Sequence, residues 1–210
     1  MKSLIGLVGF INAGKGAVAD IFVEKYGFQK EAFANPVKDA IAAMFSWNRK
    51  WLEGDTEWSR TWREKPDLFW SHKFGRPFTP REALQKMGTE VGRDTYHTDL
   101  WVDAFERRMN PQKNYVLSDT RFPNEIKKII ELDGIVIRVT RGKDPEWYDR
   151  AVEHNQRLRP YILTDSNVPM NVHYSEWAWC GDPGITHLIE NNGTLEELNN
   201  SIQILIDNYL

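Results

Sequence analysis

The sequence predicts an α/β fold built on a parallel sheet, and three observations carry that expectation. Short apolar runs alternate with stretches of helical periodicity along most of the 210 residues. The first apolar run, residues 4–8, passes directly into a glycine-bearing turn, residues 9–16, that opens a helix. Two later strands, at 115–118 and 135–140, likewise end in charged residues. A parallel sheet binds ligands at the carboxyl ends of its strands, so these three ends are expected to serve one site.

The elements follow in order. Leu4-Ile5-Gly6-Leu7-Val8 is too short for a helix and reads as a buried strand. From Ala13 onward Ala17, Val18, Ile21, Phe22 and Tyr26 recur at helical spacing, and Gly27 supplies the stop. Residues 28–34 read as extended, and Pro36 opens a second helix with Val37, Ala40, Ile41 and Met44 on one face. Residues 47–79 break the pattern. They hold Trp47, Trp51, Trp58, Trp62 and Trp70 among seven Lys/Arg and five Asp/Glu, with few aliphatics, the composition of an insertion or a mobile cover. Thr79-Pro80 is a cap followed by a first helical position, with Ala83, Leu84 and Met87 spaced for one face. A helix is expected over 99–109, a buried strand over 115–118, a helix over 123–132 and a strand over 135–140. Residues 145–159 are charged and helical in character, 185–189 form the last strand, and 195–209 an amphipathic closing helix. The expected organisation is one domain over 1–210, with a core of about 1–46 and 110–210, a substrate-binding insertion of about 47–109 and a lid of about 141–178.

Composition removes several function classes. Lys+Arg number 27 and Asp+Glu 30, for a net charge of −3, which supports neither a basic nucleic-acid grip nor binding to an anionic membrane. Apolar runs of five or six residues are too short to span a bilayer, and the first residues lack a signal-peptide pattern. The single cysteine, Cys180, excludes an internal disulfide framework, so a reducing, cytoplasmic setting is expected, with a buried or semi-buried thiol. His72, His97, His154, His173 and His187 have no metal-ligand spacing. His173 with Ser175 and Glu176 lacks a nucleophile elbow, so a structural or lid role is expected there. The tryptophan-rich segment carries a net charge of only about +2, so packing or an oligomer contact is preferred to base stacking.

The chemistry concentrates in the first turn. Residues 9–15 match G-x-x-x-x-G-K directly after a strand. The glycines let backbone N–H groups curl around an anion, the helix adds its positive end, and Lys15 supplies a full charge where β- and γ-phosphates would lie. Asn12, Ala13, Gly14, Lys15, Gly16 and Ala17 are therefore the ATP-binding candidates. The Ser/Thr that usually follows the lysine and ligates Mg²⁺ is replaced by Gly16 and Ala17. Either the metal is held by water and a carboxylate elsewhere, Asp119 being the obvious one and Asp20 a poorer one, or the site is catalytically weakened.

Ser118-Asp119-Thr120-Arg121 places an acid and a base just past a buried strand, where Asp119 can hold a metal-bound water and Arg121 can stabilise a transferring phosphoryl group. At the end of the next strand, period-two alternation favours Arg141 over Arg138 as the arginine that reaches the phosphates, with Arg157 and Arg159 joining when a lid closes. Arg81, Gln85 and Thr89 stand at i, i+4 and i+8 and share one helix face, able to hold a phosphate at one end and a base edge at the other.

These residues together make a wider pattern. The chain resembles the phage deoxynucleoside monophosphate kinases, a branch of the P-loop nucleoside monophosphate kinase fold. The resemblance rests on residues 9–15, Phe33-Ala34-Asn35-Pro36-Val37-Lys38, the run from Arg81 to Arg93, Trp101, Ser118-Asp119-Thr120-Arg121-Phe122-Pro123-Asn124-Glu125, His173-Tyr174-Ser175-Glu176 and residues 191–198, in order along nearly the whole chain. It implies an α/β P-loop kinase with a helical substrate-binding insertion and a lid. It also implies ATP and Mg²⁺ at the loop, and a deoxynucleotide against Lys38, Arg81, Gln85, Gly88, Thr89 and Trp101, the tryptophan ring stacking on the base. Asp119, Arg121 and Glu125 would face the reacting phosphates or the substrate.

The expected activity is ATP-dependent phosphorylation of a deoxynucleoside monophosphate to its diphosphate, with Lys15, Asp119, Arg121 and Arg141 as catalytic residues. The acceptor could be dGMP, dTMP, dCMP or a modified dCMP, or dAMP; no nucleic-acid or membrane partner is expected, and a homodimer is the commonest closed assembly. Two other readings stay open: a P-loop kinase for a ribonucleotide or coenzyme precursor, and a catalytically silent nucleotide-binding module.

Overall fold

A computed structural model of the chain describes residues 3–157, 172 and 174–209, with the side chain of Arg157 excluded. Arg159 and His173 lie outside the described residues. The chain divides into two compact units, Met1–Ala32 with Met109–Leu210, and Phe33–Arg108.

The first unit holds the sheet. β1 (Leu4–Val8) is buried at every position, as befits an apolar run with no polar face. α1 (Lys15–Tyr26) follows and ends at Gly27, whose φ of 69° lets its N–H reach back to the Phe22 carbonyl. β2 (Gln29–Glu31) is only three residues long, shorter than the extended stretch the sequence suggests. β3 (Tyr115–Leu117), α7 (Pro123–Glu131), β4 (Ile135–Thr140), α8 (Tyr148–Arg157), β5 (Ile185–Glu190) and α9 (Leu195–Tyr209) complete this unit. All strands run parallel in the order β2-β3-β1-β4-β5.

That order puts β1 in the middle, with the chain departing to β2 and β3 on one side and to β4 and β5 on the other. The carboxyl end of β1 is therefore a topological switch point, where parallel sheets open a crevice. Period-two alternation sorts the two faces. Ile5 and Leu7 pack with Val18, Phe22, Ile137, Leu198 and Ile202, so α1 and α9 cover one face. Gly6 points the other way, where a Cβ would meet the Ile129 side chain of α7 at 2.4 Å. β5 closes one edge, with Leu188 55% exposed.

The second unit is helical: α2 (Asn35–Phe45), a 3₁₀ turn (Arg49–Leu52), α3 (Glu57–Glu64), α4 (Leu68–Phe74), α5 (Pro80–Lys86), a π-helical stretch (Met87–Tyr96) and α6 (Leu100–Arg108). Residues 47–79, read from sequence as an insertion or a mobile cover, form a 3₁₀ turn and two capped helices. Thr56 accepts from the Ser59 N–H at 3.1 Å, and Asp67 from the Trp70 N–H at 2.9 Å. Ile41, Trp47, Leu52, Phe78 and Ala83 build the core of this unit, with Trp62 and Trp70 packed against it. Its aromatic side chains replace the aliphatic periodicity that sequence reading depends on. The tryptophan indoles are also tethered, Trp47 to Asp67 at 2.9 Å and Trp70 to the Phe45 carbonyl at 3.1 Å.

The shared face of Arg81, Gln85 and Thr89 assumes α-helical rotation throughout. From Met87 the backbone is π-helical, so Arg81 and Gln85 stand on α5 and Thr89 on the π-helical stretch that continues it. Among the described residues no helix is long and apolar enough to cross a membrane.

Candidate active site

The turn after β1 is built by backbone rather than side chains. Gly9 (φ 144°), Asn12 (φ 66°) and Gly14 (φ 96°) all take positive φ, so the chain curls tightly before entering α1. A Cβ at Gly9 would stand 2.3 Å from the Val139 carbonyl oxygen, and one at Gly14 would stand 2.1 Å from Asn191 Nδ2. The turn is thus pressed against β4 and against the loop that follows β5. Asn191 braces it: its N–H donates to the Thr140 carbonyl at 2.8 Å and its Nδ2 donates to the Ala13 carbonyl at 3.0 Å. Phe10 anchors the other side, with its ring 4.9 Å from Trp179 and 5.2 Å from Trp147. α1 starts without a side-chain cap, so its first N–H groups and positive dipole end face an incoming anion.

Lys15 opens α1 and donates to the carbonyls of Gly9 at 2.5 Å and Phe10 at 3.0 Å. Burial and then the Arg121 guanidinium pull its pKa from 10.5 down to about 8, while Glu176 opposes the fall. Arg121 stands just past β3 and pairs with Glu176 Oε1 at 2.5 Å, with Ser175 Oγ at 3.4 Å. The turn carrying Arg121 is held by Glu125, which is 3% exposed and accepts from the Arg121 and Phe122 N–H groups at 2.7 and 3.0 Å. Glu125, expected to face the phosphates or the substrate, therefore turns its carboxylate toward the backbone and shapes this turn.

Arg138 and Arg141 occupy different settings. Arg138 is tied to Asp144 at 2.5 Å and to the Tyr148 hydroxyl at 2.9 Å, with its guanidinium 4.3 Å above the Tyr148 ring. Arg141 is exposed and lines a cavity of about 440 Å³ together with Phe10, Asn12, Ala13, Thr140 and Asp144. Asp119 is half-buried at the end of β3, whereas Asp20 is committed to Lys30 at 2.7 Å. Among the described residues no group of three His, Cys, Asp or Glu could hold a metal on its own.

The remaining candidates belong to the helical unit. Lys38 pairs with Glu53 at 2.7 Å, and Arg81 with Glu64 at 2.8 Å. Gln85 and Thr89 are exposed. Trp101 donates its indole N–H to the Gly88 carbonyl at 2.9 Å and is 8% exposed. Its ring fills the place that a Cβ on Gly92 would need, at 2.3 Å. Stacking on a substrate base was expected of Trp101; buried against Gly92, the ring is instead an internal prop of the π-helical turn.

Sequence reading passed over Asn191, Glu176 and Trp179 as parts of this site, and gave Phe10 no role of its own within the 9–16 turn. The first two stand in blocks that carry the resemblance, but nothing local in those blocks shows that they reach the phosphate-loop turn, more than 150 residues away in the chain.

No protein-family model matches the chain. Among solved structures it is similar to a sugar kinase from Janibacter (12% identity, 99% of this chain and 95% of that one, TM-score 0.42). It is similar as well to TT1252 from Thermus thermophilus (15%, 100% and 98%, TM-score 0.42) and to dephospho-CoA kinase from Campylobacter jejuni (13%, 98% and 96%, TM-score 0.36). Likenesses this distant carry no argument. A curated relative does: a protein of Acanthamoeba polyphaga mimivirus, provisionally named a deoxynucleotide monophosphate kinase, is 30% identical over 219 residues, covering 98% of this chain and 96% of that protein. With a phosphate-loop turn at the switch point of a five-stranded parallel sheet, and a relative that matches from end to end, the chain is a kinase and belongs to the deoxynucleotide monophosphate kinase family.

Proposed function

We propose that the protein transfers the γ-phosphoryl group of ATP to the 5′-phosphate of a deoxynucleoside monophosphate, releasing ADP and the deoxynucleoside diphosphate, in support of deoxynucleoside triphosphate synthesis. The observation that carries this reading is the placement of the Gly9-to-Lys15 turn on the central strand, flanked by the Asp119–Arg121 turn on β3 and the Thr140–Arg141 end of β4.

The acceptor's phosphate is already anionic at neutral pH and needs no strong base, so catalysis reduces to positioning and charge stabilisation. The N–H groups from Asn12 to Ala17 and the Lys15 ammonium would hold the triphosphate. The cavity beside Arg141 has the volume of a small-ligand site and would take the nucleoside end of ATP. Arg121 and Arg141 would meet charge developing on the transferred group. In the helical unit Arg81 would bind the acceptor phosphate, with Lys38, Gln85, Gly88 and Thr89 around the nucleotide.

The donor set suits magnesium, which keeps several waters and takes one or two carboxylates plus phosphate oxygens. Asp119 would hold it through water, and the metal would supply neutralisation of charge between the β- and γ-phosphates.

ADP release with Mg·ATP against dGMP, dTMP, dCMP, dAMP and their ribose counterparts tests the reading, beside a Lys15→Ala control. Turnover with deoxynucleotides that disappears in the control is expected. ATP binding without turnover on any acceptor would sink it.

A further inference from the structure

The short helical turn of Tyr174, Ser175 and Glu176 has no part in the reaction so far described, yet it delivers a carboxylate to the phosphate-loop region. Glu176 Oε1 accepts from Arg121 Nη1 at 2.5 Å, and Ser175 Oγ lies 3.4 Å from the same nitrogen. Glu176 is also the acid that counters the loss of charge on Lys15, which places its field on both cations of the turn.

The backbone under this carboxylate is held firmly. The Glu176 carbonyl accepts the Trp179 indole N–H at 3.0 Å, and Trp179 is 1% exposed and packs 4.9 Å from Phe10 of the phosphate-loop turn. The ion pair itself is open to solvent: the Arg121 side chain is 43% exposed and that of Glu176 23%. A partly exposed ion pair is weak and readily exchanged, and a phosphate dianion offers a guanidinium more charge and more acceptor oxygens than one carboxylate does. Rotation of the Glu176 side chain about an anchored backbone is then sufficient to free Arg121, without loop movement.

We infer that Glu176 is a positioning residue: its carboxylate holds the Arg121 guanidinium and competes with nucleotide phosphate for it. This rests on the reading of the phosphate-loop turn as an ATP site. It adds a built-in competitor whose removal has two opposed effects. Without the carboxylate, phosphate binds more tightly, and Arg121 is less well placed when the phosphoryl group transfers.

The test is Glu176→Gln, which keeps size and removes charge. ATP and inorganic tripolyphosphate binding are measured by calorimetry on the full chain without acceptor, and kcat is measured with acceptor present. The expected result is about a fivefold or greater tightening for both ligands, the scale of one unit charge removed at short range in a partly solvated site, together with a lower kcat. The tightening should vanish when Arg121→Gln is combined with Glu176→Gln, because the competition acts through that guanidinium. Glu176→Asp, which keeps the charge and shortens its reach, should fall between wild type and Glu176→Gln, and it serves if the amide variant melts early. Unchanged or weakened binding of both ligands in Glu176→Gln and Glu176→Asp would overturn the inference and leave the ATP site standing. A wild-type chain that binds neither ligand would overturn both.

Discussion

Lys15 is the residue most plainly announced by the sequence, and its surroundings give it a property the sequence does not. An ordinary lysine titrates near 10.5; burial and the Arg121 charge bring this one to about 8. The sign for stability follows from proton counts. Between about pH 8 and 10.5 the unfolded chain binds the extra proton, so the contribution of Lys15 to stability rises with pH across that window, and below about 8 the cost of its buried charge is fully present. For ligand binding the sign reverses, because the ammonium is the form that meets phosphate. ATP affinity should therefore fall above about pH 8, by up to about tenfold per unit, since binding then takes up a proton. In Lys15→Met that dependence should be gone. Calorimetry from pH 7 to 9.5 checks it, and a flat wild-type profile would contradict the buried setting of Lys15.

At the scale of elements, the strand-to-turn-to-helix join from β1 to α1 separates two kinds of glycine. Gly9 has a positive φ and no room for a Cβ beside the Val139 carbonyl, whereas a Cβ at Gly16 would meet nothing within 4 Å. Gly9→Ala should cost about 1–3 kcal/mol of stability, from backbone strain and the clash with main chain. Gly16→Ser should leave stability within about 0.5 kcal/mol. It places a hydroxyl where phosphate loops usually carry one, so half-maximal activity should need less Mg²⁺. Urea titration and a Mg²⁺ titration of turnover check the pair. Equal destabilisation by both substitutions would show that the turn is held by something other than close backbone approach. Most other elements were legible too, because apolar strand runs and capped helices are local signals: β1, α2, α6, α7, β4 and α9 fall where spacing and caps put them. The helices over 57–64 and 68–74 were not legible, because aromatic packing and short-range caps stand in for periodicity. The π-helical turn after Lys86 was not legible either, since nothing in the residue types distinguishes it from a continued α-helix.

At the scale of the whole molecule, the candidate residues divide between the two compact units. Lys15, Asp119, Arg121 and Arg141 belong to the sheet unit, and Lys38, Arg81, Gln85, Thr89 and Trp101 to the helical one. If donor and acceptor divide in the same way, substitutions should divide with them. Arg81→Ala should raise the KM for the deoxynucleotide by about tenfold or more, the scale of a lost charge-assisted phosphate contact. ATP affinity should stay within about twofold of wild type. Its exposed pair with Glu64 is weak, so stability should change by less than about 1 kcal/mol. A steady-state matrix of both substrates checks this, and a loss of ATP affinity in Arg81→Ala would break the division.

By itself the sequence determined the alternating α/β plan, the phosphate-loop turn on the first strand, and the identity of the charged residues at the ends of β3 and β4. Each is written in a window of about ten residues, as a hydrophobic period, a cap or a glycine placement. The tertiary structure decided the rest. It set the strand order that makes β1 the switch point, the inward turn of Glu125 and the burial of Trp101. It also decided the approach of Glu176 and Asn191 to the phosphate-loop turn. These depend on residues far apart in the chain coming within a few ångströms. Local propensity carries no record of such pairings; they follow from which faces pack once the sheet has formed.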